Sequence, residues 1–145
     1  MAEQIPIGAD HAGFQLKERL VKELQGLGYD VLDMGTKTAD SVDYPDFAHP
    51  VASRIERGQS KRGILICGTG TGMAIAANRH HGVRAGVVWT PELARLSRQH
   101  NDSNVLVLPA RFLSEDEGVA ILRAWLDTPF EGGRHTRRVM KMETA

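Results

Sequence analysis

At 145 residues, with eighteen basic and eighteen acidic side chains, the chain carries a formal charge of zero and no long single-sign block. That length suits one domain able to bury a core without metals or disulfides, and the balance argues against a nucleic-acid or membrane-surface partner. A single cysteine cannot close an internal disulfide, the opening MAEQIPIG has no apolar signal core, and no run approaches the about 20 apolar residues that span a bilayer, so a reducing cytoplasm is the expected setting.

Five strand-like runs recur at residues 5–9, 30–34, 63–67, 84–89 and 104–108, with helical patterns between them. This βα alternation predicts a doubly wound parallel sheet. Pro6 is awkward, since proline inside a central strand loses a ladder bond, and it predicts a local irregularity in the first strand. A helix from about Phe14 sets Leu20, Val21, Leu24 and Leu27 on one face and Lys17, Glu18, Lys22 and Glu23 on the polar side, with Gly28 placed to end it. Met73 to Ala77 is helix-forming sequence, and another helix runs from Pro91 to His100. Ser114 with Glu117 reads as a capping box opening a helix to about Leu126, whose apolar side is Val119, Leu122, Trp125 and Leu126. Pro129 and Gly132-Gly133 break that pattern, and a last helix from about Arg134 places Arg134 and Arg138 on one face.

The densest chemical signal is GILICGTGTGMAIAAN, residues 63–78, where a short β-branched run ends on the only cysteine and alternate glycines follow. Cys67 then stands at a strand's carboxyl end. Gly68, Gly70 and Gly72 accept backbone angles closed to other residues, so successive amides can converge on one negative oxygen, helped by the positive end of the following helix, and the same field favours a thiolate. The pattern is not a Walker A loop, because no Gly-Lys-Ser/Thr follows. A dinucleotide fingerprint is the nearer rival, with Glu92 about 20 residues downstream, but the spacing here is GxGxG. Cys67 as a small buried strand residue is the plain alternative.

Ligands of such sheets bind outside the strands' carboxyl ends, which also selects Asp10 and His11 after the first strand. Asp10 reads equally well as a helix cap. His100 is different. Its helix runs back towards the sheet's amino edge, travelling about 15 Å at about 1.5 Å per residue, which leaves His100 far from Cys67 of its own chain. Either His100 merely benefits from a helix C-terminus, or a second subunit brings it to the crevice and a two-fold dimer builds two composite sites. Adjacent His80 and His81 read as a solvated helix end, and no His/Asp/Glu spacing carries a metal signature.

Taken together, GADHAGFQLK at the first loop, DYPDFA at residues 43–48, the cysteine-glycine segment, LSRQHNDSNVL at residues 96–106 and EGGRHTRRV near the C-terminus resemble the type B ribose-5-phosphate isomerases, within the wider ribose/galactose phosphate isomerase family. The resemblance covers nearly the whole chain as one domain. It implies a Rossmann-like three-layer α/β/α sandwich with a five-stranded parallel sheet, aldose–ketose isomerisation without cofactor or metal, and homodimers, sometimes dimers of dimers, with sites at the subunit interface. One family branch uses a cysteine as base and another a glutamate at the position of Met73; Cys67 and Met73 fit the cysteine branch. The resemblance further implies that Asp10 and His100 assist ring opening, and that His11, Arg134 and Arg138 hold the phosphate. Asn101 and Arg111 match binding positions, as do residues 68–72 (Gly68, Thr69, Gly70, Thr71 and Gly72), with Thr69 adding a hydroxyl to the catalytic set; Tyr44 matches more loosely. Allose or galactose 6-phosphate stands as an alternative substrate, and a nucleotide-binding module as an alternative of another class.

Overall fold

The computed structural model describes residues 2–144, and these form one sheet of five parallel strands in the order β2-β1-β3-β5-β4. The strands are β1 (Gln4–Ala9), β2 (Asp30–Asp33), β3 (Gly63–Cys67), β4 (Ala85–Val87) and β5 (Val105–Pro109). Six helices alternate with and follow them: α1 (Phe14–Gly26), α2 (Pro45–Glu56), α3 (Thr71–Ala77), α4 (Pro91–Asn101), α5 (Glu115–Asp127) and α6 (Arg134–Met140).

Strand periodicity divides the core into two layers. Ile5, Ile7, Ile64, Ile66, Leu106 and Leu108 point to the face covered by α1, α4 and α5, where Leu20, Leu24, Ala94, Leu122 and Trp125 complete one cluster. Leu65, Cys67, Val105 and Val107 point the other way, against Val51 and Ala52 of α2 and Met73 and Ala77 of α3. Side chains of successive strand residues alternate between faces, so a five-residue apolar run serves both layers. Each fully buried leucine or isoleucine contributes about 1.5–3 kcal/mol.

Three details differ from the sequence expectation. β1 runs unbroken through Pro6, because its ladder with β3 starts only at Ile7 opposite Ile64 and the missing N–H falls before it. Leu27 is 43% exposed, lying beyond the last turn of α1 instead of on its apolar face. Lys17 is not on the polar face at all: its side chain is fully buried, with Nζ 2.8 and 3.0 Å from the Asp33 carboxylate and 2.9 Å from Glu18. Burial pushes the Asp33 carboxyl up, but the Lys17 hydrogen bond, the Gly35 amide and the charges of Lys17 and Lys37 outweigh it and hold the group below its ordinary range. The pair ties α1 to the end of β2.

Candidate active site

With every strand parallel, the direction in which strands are added to the sheet reverses between β1 and β3. The chain leaves β1 for β2 on one side, then crosses back to β3 on the other, so the carboxyl ends of β1 and β3 open a crevice at the topological switch point. Asp10 and Cys67 are the residues found there. The Asp10 amide donates to the Ile66 carbonyl at 3.2 Å, which sets the two loops side by side. Asp10 does cap the turn leading into α1: its Oδ1 accepts from the amides of Ala12 at 3.0 Å and Gly13 at 3.2 Å. The carboxylate is therefore oriented before any ligand arrives. In the neighbouring His11, Nδ1 accepts from the Val42 amide at 3.2 Å, so the proton of the neutral ring sits on Nε2.

The glycine-rich loop is shaped by what lies on it. Gly70 has φ of 79°, a left-handed angle that starts α3 without steric cost. At Gly72 a Cβ would lie 2.5 Å from Cε1 of Tyr44, so the tyrosine ring rests directly on the loop backbone. At Gly68 a Cβ would lie 3.0 Å from Nε of Arg111, whose own amide donates to the Gly68 carbonyl at 3.0 Å. The loop is thus walled by Tyr44 from α2's entry and Arg111 from β5's exit. Thr69 turns its hydroxyl oxygen to the Thr71 amide at 3.3 Å, closing the loop on itself and engaging one of the amides otherwise free for an anion. The first-turn amides of Gly72 and Met73 have no intrahelical acceptor, as at any helix start. Cys67 is 5% exposed beside fully buried Met73, which places its chemistry in a dry setting.

His100 and Asn101 lie elsewhere. α4 begins past the end of β4 and its eleven residues carry His100 and Asn101 back to the amino side, where Asp102 takes φ of 47° and leads into β5. There α4 packs against α6, and the Glu131 amide donates to the Gln99 carbonyl at 3.2 Å. His100 stacks on His135 of α6, with ring centroids 4.4 Å apart and planes within 15°. Arg134 and Arg138 are exposed on the same helix. Within one chain the expected residues therefore form two groups: Asp10, His11, Tyr44, Cys67, the 68–72 loop and Arg111 at one sheet edge, and His100, Asn101, Arg134 and Arg138 at the other end of α4. His135 was missed in the sequence; its only signal was its place between two arginines at i,i+4 spacing. Of the two histidines expected at a solvated helix end, His81 is exposed, whereas His80 is held, with Nδ1 3.0 Å from Glu56 and Nε2 2.7 Å from His49 Nδ1.

An open parallel α/β sheet with a polar, glycine-lined loop at its switch point defines a doubly wound protein that takes its ligand at the strands' carboxyl ends. Residues 5–142 match the family described as Ribose/Galactose Isomerase, and the chain belongs to that family. It is 46% identical over 137 residues to ribose-5-phosphate isomerase B of Escherichia coli, covering 94% of this chain and 92% of the relative. Among solved structures, a ribose 5-phosphate isomerase of Thermotoga maritima superposes with a TM-score of 0.94 at 47% identity, covering 98% of both chains. Ribose-5-phosphate isomerase B of Mycoplasma genitalium, solved with ribulose-5-phosphate bound, gives a TM-score of 0.94 at 42% identity, covering 98% of this chain and 95% of that one. No helix among the described residues is long and apolar enough to cross a membrane.

Proposed function

We propose that this protein interconverts ribose 5-phosphate and ribulose 5-phosphate through an enediolate, in the cytoplasm, as part of pentose phosphate metabolism. The observation that carries the reading is the meeting of Asp10, Cys67 and the glycine-rich loop at the switch point, in a chain whose relatives include an isomerase solved with the ketose product. Isomerisation must open the furanose ring, remove the C2 proton and return a proton to C1, with no net redox change.

Opening the ring requires a proton on the ring oxygen and removal of the one on the anomeric hydroxyl. Asp10, pre-oriented by its two amide bonds, takes one part, and His100 of the partner subunit takes the other. Cys67 thiolate then removes the C2 proton from a carbon held about 3 Å away, that proton or its equivalent passes to C1, and the O2 hydroxyl proton moves to O1, so that the C1 aldehyde becomes an alcohol and C2 a carbonyl. The charge that develops on oxygen meets amide donors of the 68–72 loop and the Thr69 hydroxyl, fixed dipoles that need not reorganise as water would. The phosphate is held by His11 Nε2–H, by Arg111 across Gly68, and by Arg134 and Arg138, whose planar forks suit phosphate oxygens. Because α6 packs on α4, both of these arginines travel with His100 and Asn101 from the same protomer. A homodimer with two composite sites follows, and anchoring the phosphate aligns C2 with its base.

A substrate panel tests the reading. Purified protein is given ribose 5-phosphate, allose 6-phosphate and galactose 6-phosphate, and ketose formation is followed. Ribose 5-phosphate is expected to give the highest kcat/KM. Preference for either hexose phosphate would move the assignment within the family, and no turnover of any of the three would overturn it.

A further inference from the structure

His135 takes no part in the phosphate anchor or the ring-opening chemistry above, yet it is the second residue of α6 and only 5% exposed. Its Nε2 is buried with no hydrogen-bond partner among the described residues, and the nearest acid, Glu131, stands 3.6 Å away. Leaving a buried polar atom unpaired costs free energy that an aliphatic side chain such as leucine would not incur. What leucine would lack is the flat ring pressed on His100.

The geometry points to His135 as a positioning residue for His100: its ring is a platform that fixes the plane of the His100 imidazole as that side chain is presented to the partner's crevice. This rests on the role given to His100 above. His135 itself touches no substrate. Rotamer freedom in His100 would spread its nitrogen over positions most of which are unreactive, and a stacked neighbour at 4.4 Å removes that freedom. Burial, with the charges of His100, Arg134 and Arg138, holds His135 below the ordinary histidine range, against an opposing pull from Glu131. A neutral His135 ring presents its π face to the His100 ring stacked on it.

The ligand atoms of His100, Glu131 and His135 also lie within 4.8 Å of one another, a donor set that zinc would accept. The ring geometry disfavours chelation. Imidazole lone pairs lie in the ring plane, so rings within 15° of parallel aim them side by side and not at a common point.

The test compares His135→Leu with His135→Phe in the whole protein, by steady-state kinetics on ribose 5-phosphate and by the NMR signal of the His100 ring proton. Leucine removes the platform and is expected to lower kcat about three- to tenfold with KM within twofold; phenylalanine keeps a flat ring and should stay within twofold of the parent. The upfield ring-current shift of His100 should persist with phenylalanine and vanish with leucine. If the leucine variant does not fold, His135→Gln replaces it with the same expectation. Unchanged kcat without the ring, a loss confined to KM, phenylalanine as impaired as leucine, or stoichiometric zinc binding that His135→Leu abolishes would each overturn the proposal. Failure of the parent protein to isomerise any sugar phosphate would instead overturn the functional reading, with the NMR comparison still deciding the stacking.

Discussion

Gly72→Ala separates stability from catalysis. The added Cβ would meet Cε1, Cζ and the hydroxyl oxygen of Tyr44 at 2.5, 2.6 and 3.0 Å. Comfortable carbon contacts are about 3.5–4.0 Å, so the ring must retreat by about 1 Å. Tyr44 is 40% exposed, and the clash falls on the far end of its side chain, so the ring can yield at little cost to the fold. Alanine is also the better helix residue by about 0.5–1 kcal/mol, which offsets part of the strain. Net stability should change by no more than about 1 kcal/mol, a Tm shift of roughly 2–5 °C in either direction. Activity should fall much further, because a wall of the site displaced by about 1 Å can cost about 10²-fold. Thermal melts and steady-state kinetics on the same preparation read both quantities. Adding Gly72→Ala to a Tyr44→Ala background should cost little more, since the clashing ring is gone. Full activity in Gly72→Ala, or a drop in Tm beyond about 10 °C, would refute the reasoning: the first would show that the ring's seat is irrelevant, the second that the backbone gave way instead.

Cys67→Ala and Cys67→Ser should keep the fold and much of the substrate binding while losing most turnover; an alanine variant with full kcat excludes the assigned base. Arg134→Ala or Arg138→Ala should raise KM for the phosphorylated sugar at least about tenfold, as loss of a charge-assisted pair implies, and an unchanged KM removes the anchor role. Mixing inactive Cys67→Ala and His100→Ala subunits should regenerate activity in verified mixed dimers, since one composite site then holds both native residues; silence there counts against shared sites. Lys17→Met should destabilise by about 2 kcal/mol at neutral pH, below the about 3–5 for a broken buried pair because the Asp33 side chain is 24% exposed. Asp33's folded value lies below its ordinary 3.8, so its contribution is present above that pH and is lost as pH falls through the folded value. The gap between parent and Lys17→Met in urea midpoint should therefore narrow under acid, and a gap independent of pH would show that packing, not the ion pair, was lost.

Much of this architecture follows from local pattern. Alternate faces of Gly63–Cys67, the Ser114–Glu117 capping box and the helix from Arg134 to Met140 are all legible from residues a few positions apart, because period and capping are properties of neighbouring residues. The position of Cys67 and Asp10 at strand ends follows in the same way. Even the distance of His100 from Cys67 was legible, since helix rise alone carries it to the opposite edge.

What touches what across the chain was decided only on folding. Lys17 sits among lysines and glutamates in a stretch that reads as a solvated helix face, and it is Asp33, sixteen residues away on β2, that with the adjacent Glu18 makes its burial tolerable. Tyr44 on Gly72, Arg111 on Gly68 and His135 on His100 are likewise contacts between separate elements. Local pattern determined that a cysteine, an aspartate and a glycine-rich loop end their strands on one edge of a parallel sheet. Tertiary packing decided which side chains wall that loop and which ring supports His100, because close approach depends on how distant segments are brought together, and no periodicity within either segment encodes that.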